Sequence, residues 1–190
     1  MAKLLVELGA NVHAVANDGY TALHLAAADG RGPMIKLLVE LGADLHAQLP
    51  DGSMALHLAV NDMEAVKLLV KLGANVHAVT DGGRTLLHTA AADGHRPMIK
   101  LLVALGADIH AQLPDGRMAL HLAVDNVEAV KLLAGLGADL HSQDNKGQTA
   151  LQLAKVAKHA AVVAGQAKTR GSWRLTHAPF QPARHSAVPT

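Results

Sequence analysis

Apolar residues recur at helical spacing through most of the chain, in short blocks set apart by Gly, Pro and Asp. The block Ala22-Leu23-His24-Leu25-Ala26-Ala27 predicts a short helix with Leu and Ala on one face. Asp29-Gly30 ends it, since glycine suits the left-handed position that follows a helix. Pro33 opens a second helix, where its missing N–H costs nothing. Met34, Ile35, Leu37, Leu38 and Leu41 continue that helix, and Gly42 closes it. Residues 44–52 predict a non-helical link. Within it Leu49-Pro50-Asp51-Gly52, with Pro second and Gly fourth, suits a type I turn.

The whole unit recurs, and two landmarks set its period. The pairs Leu23-His24, Leu56-His57, Leu87-His88, Leu120-His121 and the altered Leu151-Gln152 stand 33, 31, 33 and 31 residues apart. Gly9-Ala10, Gly42-Ala43, Gly73-Ala74, Gly106-Ala107 and Gly137-Ala138 give the same steps. The alternation defines a 64-residue unit of one long and one short repeat. Of the 78 positions in residues 3–80, 56 are identical 64 residues further on, the mark of a tandem duplication. Identity between copies therefore reflects copying and need not reflect use.

These residues resemble the ankyrin repeat, whose pattern is a turn, a Thr-Pro-Leu-His-x-Ala helix start, a second helix and Gly-Ala-Asp. The helix start stands here as Thr21-Ala22-Leu23-His24-Leu25-Ala26, Met54-Ala55-Leu56-His57-Leu58-Ala59, Thr85-Leu86-Leu87-His88-Thr89-Ala90, Met118-Ala119-Leu120-His121-Leu122-Ala123 and Thr149-Ala150-Leu151-Gln152-Leu153-Ala154. The second landmark stands as Gly42-Ala43-Asp44, Gly73-Ala74-Asn75, Gly106-Ala107-Asp108 and Gly137-Ala138-Asp139. The resemblance implies an all-α solenoid of stacked antiparallel helix pairs with hairpin-like fingers between them. It organises the chain as an array over residues 1–166: a truncated first repeat 1–15, full repeats at about 16–48, 49–79, 80–112 and 113–143, and a degenerate last repeat 144–166.

The chain departs from the pattern in places. The family's Pro is Ala or Leu in every copy. Its Thr, which caps the first helix, becomes Met54 and Met118 in the short repeats, and a lost cap costs about 1 kcal/mol. Asp51 or Ser53, and Asp115, are the candidate substitutes. The short repeats also lose two residues between their helices, where Asn61-Asp62-Met63-Glu64 replaces Asp29-Gly30-Arg31-Gly32-Pro33. We expect these repeats to be locally the weaker ones. The first residues, Lys3-Leu4-Leu5-Val6-Glu7-Leu8-Gly9, read as a second helix without a first, and the last repeat loses register at Ala164-Gly165-Gln166. A solenoid end without a polar cap exposes its stacking face. Two readings are open: a fragment of a longer array or an imperfect gene boundary, or a bare N-terminal face that docks a partner or a second copy.

Composition narrows the classes further. Only Tyr20, Trp173 and Phe180 are aromatic, so the core must come from Leu, Ala, Val, Ile and Met. The absence of cysteine excludes a disulfide scaffold, a thiolate metal site and a cysteine nucleophile. Residues 1–144 carry 10 Lys/Arg against 16 Asp/Glu, net −6, while residues 145–190 carry seven basic residues and no acid, net +7. An acidic body argues against a nucleic-acid partner, which would need a basic face on the folded part. No apolar run reaches the roughly 18 residues of a membrane span, and Glu7 and Gly9 interrupt the start too early for a signal peptide. Residues 167–190 show no periodicity and are expected to be a disordered basic tail, inert or carrying a basic linear motif around Trp173-Arg174 or Phe180. The resemblance favours an intracellular setting, cytoplasmic or nuclear.

Thirteen histidines invite a metal reading. They form two ladders: His24, His57, His88 and His121, and His13, His46, His77, His110 and His141. Packed helices lie about 8–10 Å apart, whereas two zinc ligands lie within about 4 Å of each other, so equivalent histidines in neighbouring repeats cannot share an ion. The first ladder is expected to bond backbone between repeats and the second to fill a turn. None of the four serines stands in a nucleophile-elbow pattern, and no phosphate loop or dinucleotide fingerprint is present. Neither catalysis, nor a cofactor, nor a metal is predicted.

Recognition remains. The resemblance implies contacts beside each finger glycine and at the exposed end of each first helix. Carried over, these are Asn17, Asp18 and Tyr20; Asp51 and Ser53; Asp81 and Arg84; Asp115 and Arg117; with Asp29, Asn61, Asp93 and Asp125 on the first helices. Across the duplication Tyr20 becomes Arg84 and Ser53 becomes Arg117, a copied scaffold with altered fingertips. The expected function is a non-catalytic scaffold binding a protein partner of some basic character along this groove. The alternative is the recognition segment, or substrate adaptor, of a larger protein whose effector domain lies outside this chain.

Overall fold

The computed structural model describes residues 11–156. The helix expected over residues 3–9, the second half of the last repeat and the tail 167–190 lie outside the described residues. The chain divides into two units, Met1–Leu153 and Ala154–Thr190, and the repeats from 11 to 153 belong to the first.

The helices of this unit alternate as the periodicity predicts. In the long repeats the pairs are α1 (Ala22–Ala28) with α2 (Gly32–Glu40), and α5 (Leu86–Ala92) with α6 (Arg96–Ala104). In the short repeats they are α3 (Ala55–Leu58) with α4 (Met63–Lys71), and α7 (Ala119–Leu122) with α8 (Val127–Gly135). Residues 150–156 are again helical. The missing two residues thus come out of the first helix, which shrinks to a single turn. First helices pack side by side (α1 on α3, α5 on α7), second helices likewise (α2 on α4, α6 on α8), and each pair packs internally.

The core lies between the helix layers. Leu23, Leu56, Leu87 and Leu120 are all buried, facing Ile35, Leu69, Ile99, Leu102 and Leu133. Ala26, Ala59, Ala90 and Ala123 are buried one turn on. Small side chains at that register let adjacent first helices approach closely, which accounts for a packed core without aromatics.

Two devices start the helices, and they alternate. In the long repeats Thr21 Oγ1 accepts from the His24 N–H (3.4 Å) and Thr85 Oγ1 from the His88 N–H (3.3 Å). Their second helices begin with Pro at the first turn; Arg31 supplies no side-chain cap, while His95 Nδ1 accepts from the Met98 N–H (3.2 Å). In the short repeats the emphasis moves to the second helix. Asp62 Oδ1 accepts from the Glu64 and Ala65 N–H groups, both at 2.9 Å, and Asn126 Oδ1 from the Ala129 N–H at 3.0 Å.

The first helices of the short repeats are not capped by the residues the sequence nominated. Asp51 and Asp115 are spent on the turn before the helix, each accepting the N–H two residues on. Histidine acts in all four repeats instead. The N–H groups of Thr21, Met54, Thr85 and Met118 donate to Nδ1 of His24, His57, His88 and His121 at 3.1–3.2 Å. The imidazole holds the place of the carboxylate in a capping box.

Glycines allow two close approaches. Gly30 (φ +64°) and Gly94 (φ +65°), which end α1 and α5, lie against the side chains of Asp62 and Asn126. A Cβ at either would overlap the polar group that caps the following repeat.

Candidate functional site

Each finger is a tight turn. The Gly52 N–H donates to the Leu49 carbonyl at 2.9 Å, the bond of the predicted turn. Antiparallel bridges close the first and last described fingers at Val15–Thr21 and Gln143–Thr149. The turn aspartate fixes the residue after the glycine: Asp18 Oδ1 accepts from the Tyr20 N–H (3.2 Å), Asp51 from Ser53 (2.9 Å) and Asp115 from Arg117 (3.1 Å). Gly82 stands where the third finger would carry Asp, and Thr80 Oγ1 accepts the Arg84 N–H at 3.4 Å.

Neighbouring fingers are joined in two alternating ways. From short repeat to long, the Asp81 N–H donates to the Asp51 carbonyl and the Asn145 N–H to the Asp115 carbonyl, both at 2.9 Å. From long repeat to short, the corresponding position is Pro50 or Pro114, which has no N–H to give. There the proline ring packs against Gly19 or Gly83. Finger spacing is therefore held along the row whichever repeat comes next.

Asn17, Asp18, Asp51, Asp81 and Asp115 are exposed at the fingertips. Asp29, Asn61, Asp93 and Asp125 are exposed where the first helices end. Tyr20, Arg84 and Arg117 are partly buried. Tyr20 stands edge-on to His24, ring centroids 6.0 Å apart. Arg117 Nε donates to Asp115 Oδ2 at 2.6 Å, whereas Arg84 has no ion-pair partner among the described residues. Ser53 is only 8% exposed and does not join this surface. Leu25, which the sequence placed with the core, is 55% exposed and shares a helix face with Asp29.

The electrostatics are those of solvated acids and buried neutral imidazoles. The carboxyl of Asp51 is held below its usual value by the Ser53 N–H and side chain, and that of Asp115 by the Arg117 N–H and side chain. Burial lowers the affinity of His24, His57 and His88 for a proton. Because Nδ1 of each faces a backbone N–H, the ring proton sits on Nε2. In the short repeats that proton is used: His57 Nε2 donates to the Ala78 carbonyl and His121 Nε2 to the Ser142 carbonyl, each at 3.1 Å. Both acceptors close the same repeat, while backbone of the next repeat, at Arg84, also favours the charged His57 ring. In the long repeats Nε2 of His24 and His88 is buried without a hydrogen-bond partner. Backbone of the same repeat at Ala47 or Ala111, and of the next at Ser53 or Arg117, favours the charged ring there but does not reach hydrogen-bond geometry.

The second ladder caps turns. The N–H groups of His13, His46, His77, His110 and His141 donate to Oδ1 of Asn11, Asp44, Asn75, Asp108 and Asp139 at 2.8–2.9 Å. Among the described residues no group of three His, Asp or Glu stands close enough to hold a metal ion, and no helix is long and apolar enough to cross a membrane.

A family model described as ankyrin repeats in three copies matches residues 41–112 and 87–164, and one described as ankyrin repeats in many copies matches residues 5–59. No curated protein matches the chain.

Proposed function

The chain belongs to the ankyrin-repeat family, whose members are in general non-catalytic modules of protein–protein interaction, and from that premise we propose that it binds a protein partner along the row of fingertips and first-helix ends. The observation that carries this reading is the alternation of a copied frame with changed tips. The finger linkages and the buried leucines recur, and Asp18, Asp51 and Asp115 repeat the turn aspartate, while the residue after the finger glycine runs Tyr20, the buried Ser53, Arg84, Arg117. Binding hot spots favour Tyr and Arg, and three of these four are of that kind.

The surroundings are acidic. Asp18, Asp51, Asp81 and Asp115 at the tips and Asp29, Asp93 and Asp125 on the helices face a partner of basic character, with Asn17 and Asn61 as neutral hydrogen-bonding groups. Leu25 adds an apolar contact among them. Attraction of this kind steers association and selects the partner more than it deepens affinity. The test is affinity capture with the wild-type chain beside a Tyr20→Ala, Arg84→Ala, Arg117→Ala variant of matched urea stability. Partners lost by the variant support the groove; an unchanged set of partners overturns it.

A further inference from the structure

Two clefts of about 170 and 190 Å³ open where a long repeat meets the repeat before it, and they are the same cleft twice. His13, Val15, Thr21 and Asp44 of the first reappear 64 residues on as His77, Val79, Thr85 and Asp108. None of these residues belongs to the groove of fingertips and first-helix ends. The sequence explains the placement. At the valine and threonine positions the junctions from long repeat to short carry Gln48 and Met54, then Gln112 and Met118, which are longer side chains.

We propose that these twin clefts receive two lysine side chains carried on one extended segment of a protein partner. Each cleft is roomy enough for the four methylenes and ammonium of a lysine side chain. The walls are apolar at Val15 and Ala47, or Val79 and Ala111, and a carboxylate stands beside them, so a stem can pack while its head meets charge. The carboxylate also selects lysine over arginine. Asp44 Oδ1 already accepts from the His46 N–H and Asp108 Oδ1 from the His110 N–H, both at 2.8 Å. Only Oδ2 is wholly free at each site, which suits a point-charge ammonium better than a guanidinium that pairs best across both oxygens at once. The net charge of −6 over residues 1–144 draws cations to this body.

Two repeats separate the clefts by about 20 Å at ordinary helix-packing distances. An extended chain covers that in about six residues at 3.3 Å each. The probe is therefore a peptide with lysines at positions i and i+6, titrated into the full chain while the imidazole NMR signals of His13 and His77 are followed. The proposal expects both signals to move together. It also expects the two-lysine peptide to bind at least tenfold tighter than versions with one lysine replaced by alanine or with both replaced by arginine. Asp44→Asn with Asp108→Asn should abolish the shifts without disturbing the turns, because Asn11 and Asn75 already accept the equivalent N–H bonds. Silent His13 and His77 signals, equal binding of one- and two-lysine peptides, or an unaffected double variant would each overturn the proposal. The groove reading stands or falls separately, on Tyr20, Arg84 and Arg117.

Discussion

Nε2 of His57 donates a 3.1 Å hydrogen bond to the carbonyl of Ala78, 21 residues further along the chain. With Nδ1 taking the Met54 N–H, one neutral imidazole ties the start of a first helix to the loop that leaves the second. Protonation would place a hydrogen on Nδ1, where the Met54 N–H already points, and would break that bond.

Stability should therefore fall as the solution is acidified. Burial lowers the folded-state pKa of His24, His57 and His88 below the unfolded value of 6.5. Below 6.5 the unfolded chain binds more protons than the folded one, so stability is full above that pH and declines as pH falls toward the folded values. The turn carboxylates Asp51 and Asp115 have the same sign in a lower window, below 3.8. Urea midpoints at pH 7.5, 6.0 and 5.0 should drop in that order. Replacing His24, His57 and His88 by Gln should flatten the dependence, because Gln152 shows that an amide accepts the same bond: its Oε1 takes the Thr149 N–H at 2.8 Å. An unchanged slope in the triple variant would clear these histidines of any part in the acid response.

The array and its period were legible because helix spacing, Gly-Ala and Leu-His are local signals. The turn at Leu49–Gly52, the first-turn prolines and the left-handed Gly30 come from chemistry within a few residues. What the sequence hid depends on contacts between repeats. The proline rings against finger glycines join residues 31 positions apart, and the burial of Ser53 and the exposure of Leu25 are not set by their immediate neighbours in sequence. The spacing of the histidines suggests bridges between repeats, but half their bonding is a reach back of three residues to the helix start. A capping box built with imidazole in place of a carboxylate is not an obvious pattern.

Gly30→Ala should destabilise more than Gly42→Ala. Both glycines have positive φ, +64° and +92°, so both substitutions carry backbone strain of about 1 kcal/mol. A Cβ at 42 meets nothing within 4 Å, whereas one at 30 meets the Asp62 carboxylate and would push it off the α4 N-terminus. That adds about 1 kcal/mol for the lost cap. Urea denaturation of the two variants measures the difference, and adding Asp62→Ala to each tells cap loss from strain, since it should cost less on Gly30→Ala than on Gly42→Ala.

Opening should begin at the first helices of the short repeats. α3 and α7 have four residues each and Met at the cap position, against seven residues and Thr in α1 and α5. Their second helices are well capped by Asp62 and Asn126, so weakness is confined to one half of each short repeat. Native-state hydrogen exchange should be faster at residues 55–58 and 119–122 than at 22–28 and 86–92. Equal or reversed protection would show that the histidine bonds to Ala78 and Ser142 make good the missing turn.

Arg31 offers a gain of stability. It stands at the N-terminus of α2 without capping it, while His95 at the same position in the duplicate accepts the Met98 N–H. Asp at 31 would accept the equivalent bond and place a negative charge at the positive end of the helix dipole, together worth about 1 kcal/mol. The loss is the ion pair with Asp29, 3.1 Å long between well-exposed side chains and worth well under 1 kcal/mol. The cap should win, and Arg31→Asp should raise the urea midpoint at pH 7. High salt isolates the contributions: screening weakens the charge terms and leaves the hydrogen bond, so an advantage that vanishes in 1 M NaCl would mean that the new side chain does not reach the helix N–H groups.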